Sequence, residues 1–319
     1  MTNNSQDASV LDLSRGQIRF WIYMVEGFCV ASTNLLVFFS VVSYEAVRSQ
    51  KSYVILAALA LADGSSGVAQ MSAGFVRQTM LIMGQAGPET TKLTRRMCLL
   101  RPSNLIWIFT EALQPLMLVV VSVDRLLAVT MPLKYFTWGN RYSLSLAGAA
   151  RIYASSTETY DVSFQWMLSN TQMNYAALSI ILYVLVVVIY VKKSKVANVH
   201  QNATAMEKQR KDQRRLTISM AISCFFTFVL LEVPYIITLV LFSGLLPTWE
   251  AYSNYWYTLA YITQMFNPIV NFFIYTMRHQ DMKKATGAFV RCQSLPLVIQ
   301  PAAAKKTVTR TNQQEKQRY

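Results

Sequence analysis

The feature that most constrains this chain is the apolar run from Leu105 to Val123, in which only Glu111 can carry charge. A helix of that length crosses the hydrocarbon core of a bilayer. Hydrophobic residues make up 53 % of the chain and charged residues only 14 %, whereas soluble domains average about 25 % charged residues. Further apolar runs recur at about Ile18–Tyr44, Tyr53–Val76, Tyr142–Ala150, Tyr175–Val191, Leu216–Phe242 and Tyr255–Tyr275. The pattern predicts an all-α membrane protein with seven transmembrane helices.

The fourth of these runs is short. It extends only from Tyr142 to Ala150 before Arg151, about half the length that spans a bilayer. Either this helix is short and partly interfacial, or the sequence has lost a segment. The prediction is therefore a seven-helix bundle whose fourth helix is short or degraded.

The distribution of basic residues predicts the orientation. The chain has 30 Lys and Arg against 16 Asp and Glu, a net charge of +14, and 22 of the basic residues fall on one side if the N-terminus is outside. Such a bias marks the cytoplasmic face. We therefore predict an extracellular N-terminus (1–17), a membrane domain (18–276) and a cytoplasmic tail (277–319). Because the basic residues lie between apolar runs and in the tail, nucleic acid is not an expected partner.

Two motifs lie near the end of the third run: Asp124 to Leu126, and Met131 to Tyr135. Charges at the end of a span often only reach the headgroup region. The two motifs in this order, an Asp-Arg pair followed by Met-Pro-Leu and an aromatic residue, nevertheless resemble the cytoplasmic end of the third helix in rhodopsin-like G-protein-coupled receptors. The receptor motif is Asp-Arg-Tyr, so Leu126 is a departure.

Other spans carry further parts of this resemblance. The segment Leu59 to Asp63 resembles the second helix of these receptors, and Asn271 to Tyr275 resembles their Asn-Pro-x-x-Tyr, with Phe272 in place of the proline. Residues 276–282 resemble the start of an amphipathic eighth helix. The details are most similar to the nematode serpentine chemoreceptor families. No cysteine lies between Cys98 and Cys224, so the usual extracellular disulfide cannot form, and loss of a segment near the fourth run would account for that too.

The resemblance implies sites for G-protein coupling. Asp124 is expected to pair with Arg125 in the inactive state and to release it towards the G protein and Tyr190 on activation. Asn271 and Tyr275 belong to the same activation set. The remaining expectations are hinges at Pro234 and Pro268, glycosylation at Asn3 and palmitoylation at Cys292.

The resemblance also implies an ion or proton site in the membrane core. An aspartate in mid-membrane is costly and is functional by default, although Asp63 has the alternative of a structural bond to a neighbouring helix. Asp63, Asn267 and Asn271 are expected to converge, with Gln114 in place of the usual serine and Glu232 in place of a tryptophan. If Glu232 and Asp63 are close, at most one is expected to be ionised. We predict a proton-linked cavity with weak sodium dependence.

A ligand pocket is predicted from helical spacing. Trp107, Glu111 and Gln114 are spaced by four and three residues, so they share one helix face. If this face points inward, it meets side chains of the sixth and seventh helices, namely Glu232, Tyr235 and Gln264. The two carboxylates favour a cationic or hydrogen-bond-donating ligand. The alternative is a polar stripe that holds water.

Enzymatic classes are not supported. The two histidines, His200 and His279, are far apart, and no glycine-rich phosphate loop occurs, so no metal, cofactor or catalytic site is predicted. The prediction is a plasma-membrane receptor that converts binding of a chemosensory small molecule or a peptide into activation of a heterotrimeric G protein. The alternatives are a transporter or channel with a polar path along Glu26, Asp63, Glu111 and Glu232, or an impaired receptor-derived product.

Overall fold

The computed structural model describes residues 3–83, 102–156, 164–197, 218–219, 221–242 and 253–293, and within these ranges it contains no β-strand. A π turn, Phe228–Glu232, continues from helical residues 221–227 and leads directly into α8. The α-helices are α1 (Asn3–Ser43), α2 (Glu45–Arg48), α3 (Lys51–Ile82), α4 (Pro102–Thr130), α5 (Pro132–Thr137), α6 (Asn140–Ser156), α7 (Phe164–Ala197), α8 (Val233–Phe242), α9 (Ser253–Arg278) and α10 (Gln280–Val290).

Five helical segments of the described chain are long and apolar enough to cross a membrane: Gln17–Ser43, Lys51–Ile82, Asn104–Thr130, Met173–Lys192 and Ala221–Thr238. Helix α9 has the length, with 26 residues, but its Gln, Asn, Thr and Tyr side chains lower its hydropathy. Helix α6 has 17 residues, about 25 Å at 1.5 Å per residue, which is less than a hydrocarbon core of about 30 Å. The helix extends to Ser156, although the apolar run within it ends at Ala150.

The distribution of polarity fits a multi-pass membrane protein. Apolar side chains cover the outer faces of the helices, whereas several charged and amide side chains are buried between them. Lipid favours this arrangement because a polar group facing hydrocarbon would lose its hydrogen bonds. Examples of exposed apolar residues are Trp21, Phe28, Phe75, Ile181, Val184 and Phe225, and of buried polar residues Glu26, Asn34, Asp63, Asp124, Arg125, Asn267 and Asn271.

Helices α1 and α3 are antiparallel and pack with their backbones in contact. A Cβ atom on Gly67 would lie 2.5 Å from the backbone nitrogen of Ala31 and 2.7 Å from the carbonyl oxygen of Gly27. One on Gly27 would lie 2.6 Å from the backbone nitrogen of Met71. Small residues permit this approach, as they do between helices in lipid.

The other helices assemble around this pair. Helix α3 also packs against α4, α4 packs against α7, and α1 packs against α9. Helix α10 lies against the end of α1, where Met282 and Ala285 are buried with Val47, and Phe289 stacks on Phe39 with ring centroids 6.4 Å apart. These contacts connect the first and last helices of the described chain.

The π turn is a feature that helical periodicity did not predict. It separates Thr227 from Glu232 by five residues, which is the spacing of a π-helical hydrogen bond. Both residues are buried, so the wider turn keeps them facing the interior. Pro234 follows and has no N–H for the carbonyl group of Leu230, which accounts for irregular helix geometry here.

The helix boundaries differ from those of the apolar runs. Helix α1 begins at Asn3, so most of the predicted N-terminal segment 1–17 is helical, and α3 extends beyond Val76 to Ile82. Helix α4 ends at Thr130 and Pro132 opens α5, where its missing N–H costs no helical hydrogen bond. Cys98 lies outside the described residues.

Candidate functional site

The last turns of α4 contain a buried ion pair. An Nη atom of Arg125 lies 2.5 Å from Asp124 Oδ2, and the side chains of Arg125 and Asp124 are 7 % and 0 % exposed. Adjacent residues on a helix point in different directions, so the long arginine side chain must fold back to reach the carboxylate. The structure therefore brings together the two residues that the sequence associated.

Tyr135 completes this pair from the next helix. Its hydroxyl group donates to Asp124 Oδ1 at 3.0 Å, and burial raises the pKa of the Tyr135 hydroxyl, which keeps it protonated as a donor. Lys51, at the start of α3, donates to the backbone carbonyl oxygen of Tyr135, and its Nζ atom lies 4.4 Å from the centre of the Tyr135 ring. The break at Pro132 turns the chain so that Tyr135 can reach back to α4. We refer to Lys51, Asp124, Arg125 and Tyr135 as the ionic cluster.

Arg125 also has a tyrosine neighbour on α7 that the sequence did not predict. Tyr183 on α7 is buried and interacts electrostatically with Arg125. Tyr190, the predicted partner on activation, lies seven residues further along α7 and is half-buried. Its meeting with Arg125 concerns another state and stays a prediction.

A small cavity lies at the centre of the described helices. Its volume is about 20 Å³, which is space for about one water molecule or small ion. Gln114 Nε2 donates to Asp63 Oδ1 at 2.9 Å across this space. The cavity is lined by Asp63, Gln114, Pro115, Leu118, Leu231, Gln264, Met265, Asn267, Pro268 and Asn271. The predicted convergence of Asp63, Gln114, Asn267 and Asn271 is thus present in the structure.

Glu232 does not belong to this cavity. It is buried at the end of the π turn, but the cavity is lined by its neighbour Leu231. Glu232 Oε1 has no hydrogen-bond partner among the described residues, whereas Asp63 is bonded to Gln114. Direct sharing of a proton between Glu232 and Asp63 is therefore absent from this conformation.

A ladder of hydrogen bonds joins the sixth span to α9. Thr227 Oγ1 donates to Asn267 Oδ1 at 3.1 Å, and one turn away Ser223 Oγ donates to Asn271 Oδ1. The Ser223 hydroxyl group also lies 3.4 Å from the Tyr275 hydroxyl group. We call these five residues the polar ladder. It ties Asn267, Asn271 and Tyr275 of α9 to one face of the sixth span.

Asn34 provides a weaker link between α1 and α9. Its Nδ2 atom donates to the carbonyl oxygen of Val30 at 3.0 Å and lies 3.5 Å from the carbonyl oxygen of Pro268. Pro268 lies inside α9 and also lines the cavity, so the predicted hinge proline borders the polar core. The other predicted hinge, Pro234, is the second residue of α8.

The predicted ligand pocket is assembled only in part. Gln114 and Gln264 meet at the cavity, whereas Tyr235 is half-buried on α8. Trp107 has a buried Nε1 atom without a partner among the described residues. The side chain of Glu111 lies outside those that the structure describes. Trp107 Nε1 and Glu232 Oε1 are thus two buried polar atoms of the predicted pocket that have no partner among the described residues.

Sequence reasoning missed four residues of these sites: Lys51, Tyr183, Ser223 and Thr227. Ser223 and Thr227 are spaced four residues apart in an otherwise apolar run, and this spacing is a signal that identifies one polar helix face. Lys51 begins α3, and its long side chain reaches back along the protein from the end of the span.

Among the modification sites, Cys292 is exposed just after α10 and has φ 50°. Asn3 begins α1, and its side chain is outside those described. Within the described part of the chain, no group of three or more His, Cys, Asp or Glu side chains could hold a metal ion.

Comparison of the chain with models of known protein families gives no match, and comparison with curated proteins gives none either.

Proposed function

We propose that this chain is a rhodopsin-like G-protein-coupled receptor of the plasma membrane, a seven-helix bundle in which α10 is the amphipathic eighth helix. Its N-terminus is outside and its C-terminus is in the cytoplasm. It converts binding of a small chemosensory molecule or a peptide into activation of a heterotrimeric G protein. The observation that carries this proposal is the buried Asp124–Arg125 pair, which the Tyr135 hydroxyl group closes at the end of an apolar helix.

Such a pair is suited to be a switch. Two ions held away from water are tolerated only while each has the other, because desolvation of a lone charge is costly. Separating them therefore requires a replacement partner, which a docked G protein supplies. The ionic cluster also connects α3, α4 and α5, so its release would loosen the cytoplasmic ends of three helices together.

The polar ladder and the π turn supply the moving part in this proposal. Outward movement of the cytoplasmic half of the sixth span would break the bonds of Ser223 to Asn271 and Tyr275. The π turn and Pro234 lie immediately beyond Thr227, where the backbone already has irregular hydrogen bonding. Movement about this point would leave α8 in contact with α9.

The first test measures topology and coupling together. The full chain, with one epitope at each end, is expressed in cells that report G-protein activation. We expect labelling of only the N-terminal epitope on intact cells, and activation by one or more members of a chemical library. Surface expression with solute uptake or ionic current, and without G-protein activation, would instead indicate the transporter or channel alternative.

Sodium should have little influence on this receptor. The Gln114 amide group directs a partial positive charge at Asp63, and this bond competes with an ion for the carboxylate. Basal and ligand-driven signalling should therefore be unchanged when a large inert cation replaces sodium, and should vary with pH. Strong sodium sensitivity that Asp63→Asn abolishes and Glu232→Gln leaves intact would contradict the proton-linked cavity.

A further inference from the structure

The seam between α1 and α3 holds another buried carboxylate, which the proposed receptor mechanism does not use. Glu26 on α1 and Gln70 on α3 are 7 % and 2 % exposed. Gln70 Nε2 donates a hydrogen bond to Glu26 Oε2 at 3.0 Å. The Oε1 atoms of both residues are also buried, and neither has a hydrogen-bond partner among the described residues. Each side chain is thus satisfied on one side only.

The pair of Glu26 and Gln70 lacks one hydrogen-bond donor. An ionised carboxylate only accepts hydrogen bonds, and a carboxamide has one acceptor oxygen and one donating NH₂ group. With Glu26 ionised, two acceptor oxygens remain without a donor in a buried place. A carboxylic acid, in contrast, carries one O–H donor. One added proton therefore serves both unpaired oxygens.

We propose that Glu26 binds a proton in the folded protein and that its acid group donates from Oε1 to Gln70 Oε1. Acid and amide then pair through two reciprocal hydrogen bonds. Both groups are planar and present two polar atoms on one edge, so a pair already joined by Gln70 Nε2 and Glu26 Oε2 can form its second hydrogen bond between the two buried Oε1 atoms. The ligand of this site is a proton, and no covalent bond of the chain changes apart from the O–H bond that forms.

The surroundings favour a proton over a metal ion. The helix backbones are in contact at Gly27, which follows Glu26, and at Gly67, one turn before Gln70. A proton adds no volume to so close a seam, whereas an ion must bring several oxygen ligands. Burial without a cationic partner also favours the neutral form of a carboxyl group.

The other titratable or charged groups facing Glu26 do not replace the proton. Tyr23, on the same helix, contacts the ring of Tyr261 on α9, with centroids 5.1 Å apart. Arg19 on α1 and Arg77 on α3 are exposed, and within the described residues neither lies within ion-pair distance of Glu26. The site is therefore a neutral pair, and its loss of a proton leaves two buried acceptors without a donor. The packing of α1 on α3 should weaken as pH rises.

The test is the thermal unfolding of the full chain in detergent micelles from mildly acidic to mildly basic pH. Between the pKa of a glutamate in an unfolded chain, about 4.3, and the pH at which folded Glu26 loses its proton, the Tm of the wild-type protein should fall by about 2–4 °C for each pH unit, because only the folded state holds the proton in that range, and above it the Tm should level off. Glu26→Gln should remove this fall, because its amide NH₂ donates to Gln70 Oε1 at every pH. Glu45→Gln, the same change at an exposed carboxylate, should leave the fall intact.

Infrared spectroscopy observes the proton directly and requires no signalling. The difference between wild-type protein and Glu26→Gln should contain the carbonyl band of a hydrogen-bonded carboxylic acid. Gln70→Met, which removes both amide atoms, should move that band to higher wavenumber. Carboxylate bands alone at mildly acidic pH, or a Tm that rises with sodium or potassium and not with protons, would overturn the proposal.

Discussion

Replacing Asp124 with asparagine is expected to raise basal G-protein activation. The asparagine still accepts a hydrogen bond from Tyr135, but Arg125 loses its counter-ion and is held only by neutral contacts. A hydrogen bond to a charged group contributes about 1.5–3 kcal/mol, and 1.4 kcal/mol corresponds to a factor of ten in an equilibrium. The population of the active state should therefore rise about tenfold. The measurement is nucleotide exchange on the G protein in membranes, at matched surface expression.

The partners of the ionic cluster give the matched comparisons. Tyr135→Phe removes the hydroxyl group and keeps the ring beneath Lys51, so a smaller rise is expected, and it should not add to the effect of Asp124→Asn. Glu45→Gln, an exposed carboxylate on α2, should change nothing. Arg125→Ala should reduce coupling, since it removes the cation that meets the G protein. Unchanged basal activity in well-expressed Asp124→Asn would show that the Asp124–Arg125 pair does not stabilise the inactive state.

The contacts of Arg125 and Tyr135 show how much of the site could be predicted from the sequence. Asp124 and Arg125 are neighbours in the chain, and their position at the end of an apolar run was enough to predict pairing. Tyr135 was visible as part of the motif, but its bond to Asp124 depends on how α5 turns after Pro132. Lys51, at the start of α3, binds the Tyr135 carbonyl group and so helps to hold α5 in that direction. Sequence spacing contains no such information.

The sixth span shows a different limit. Helical periodicity assumes 3.6 residues per turn, and the π turn at Phe228–Glu232 breaks that assumption in the middle of the span. The resemblance placed Glu232 with Asp63, whereas the structure leaves Glu232 outside the cavity. Asn267 and Asn271, on the regular helix α9, were assigned correctly to the polar core. The positions implied by the resemblance therefore agree with the structure on the regular helix α9 and differ from it beside the π turn.

Glycine at position 67 is the residue whose replacement should most damage the fold. A leucine there would place Cβ 2.5 Å from the backbone nitrogen of Ala31 and 2.7 Å from the carbonyl oxygen of Gly27. Backbone atoms cannot rotate aside, so α1 and α3 would have to separate, and the bond between Glu26 and Gln70 would be strained with them. Overpacking of this kind typically costs about 1–3 kcal/mol, and a helix–helix seam of fixed backbone lies at the upper end. Lower surface expression and a lower Tm in detergent are expected.

Gly148→Leu is the matched control for Gly67→Leu. No atom lies within 4 Å of a Cβ built on Gly148, which is also inside a helix. Leucine has a higher helix propensity than glycine, by up to about 1 kcal/mol, so this variant should be as stable as the wild-type protein or more so. Both variants add the same side chain to a helical glycine and differ only in what that side chain meets. Equal Tm values for the two variants would show that α1 and α3 do not approach as closely as the structure has them.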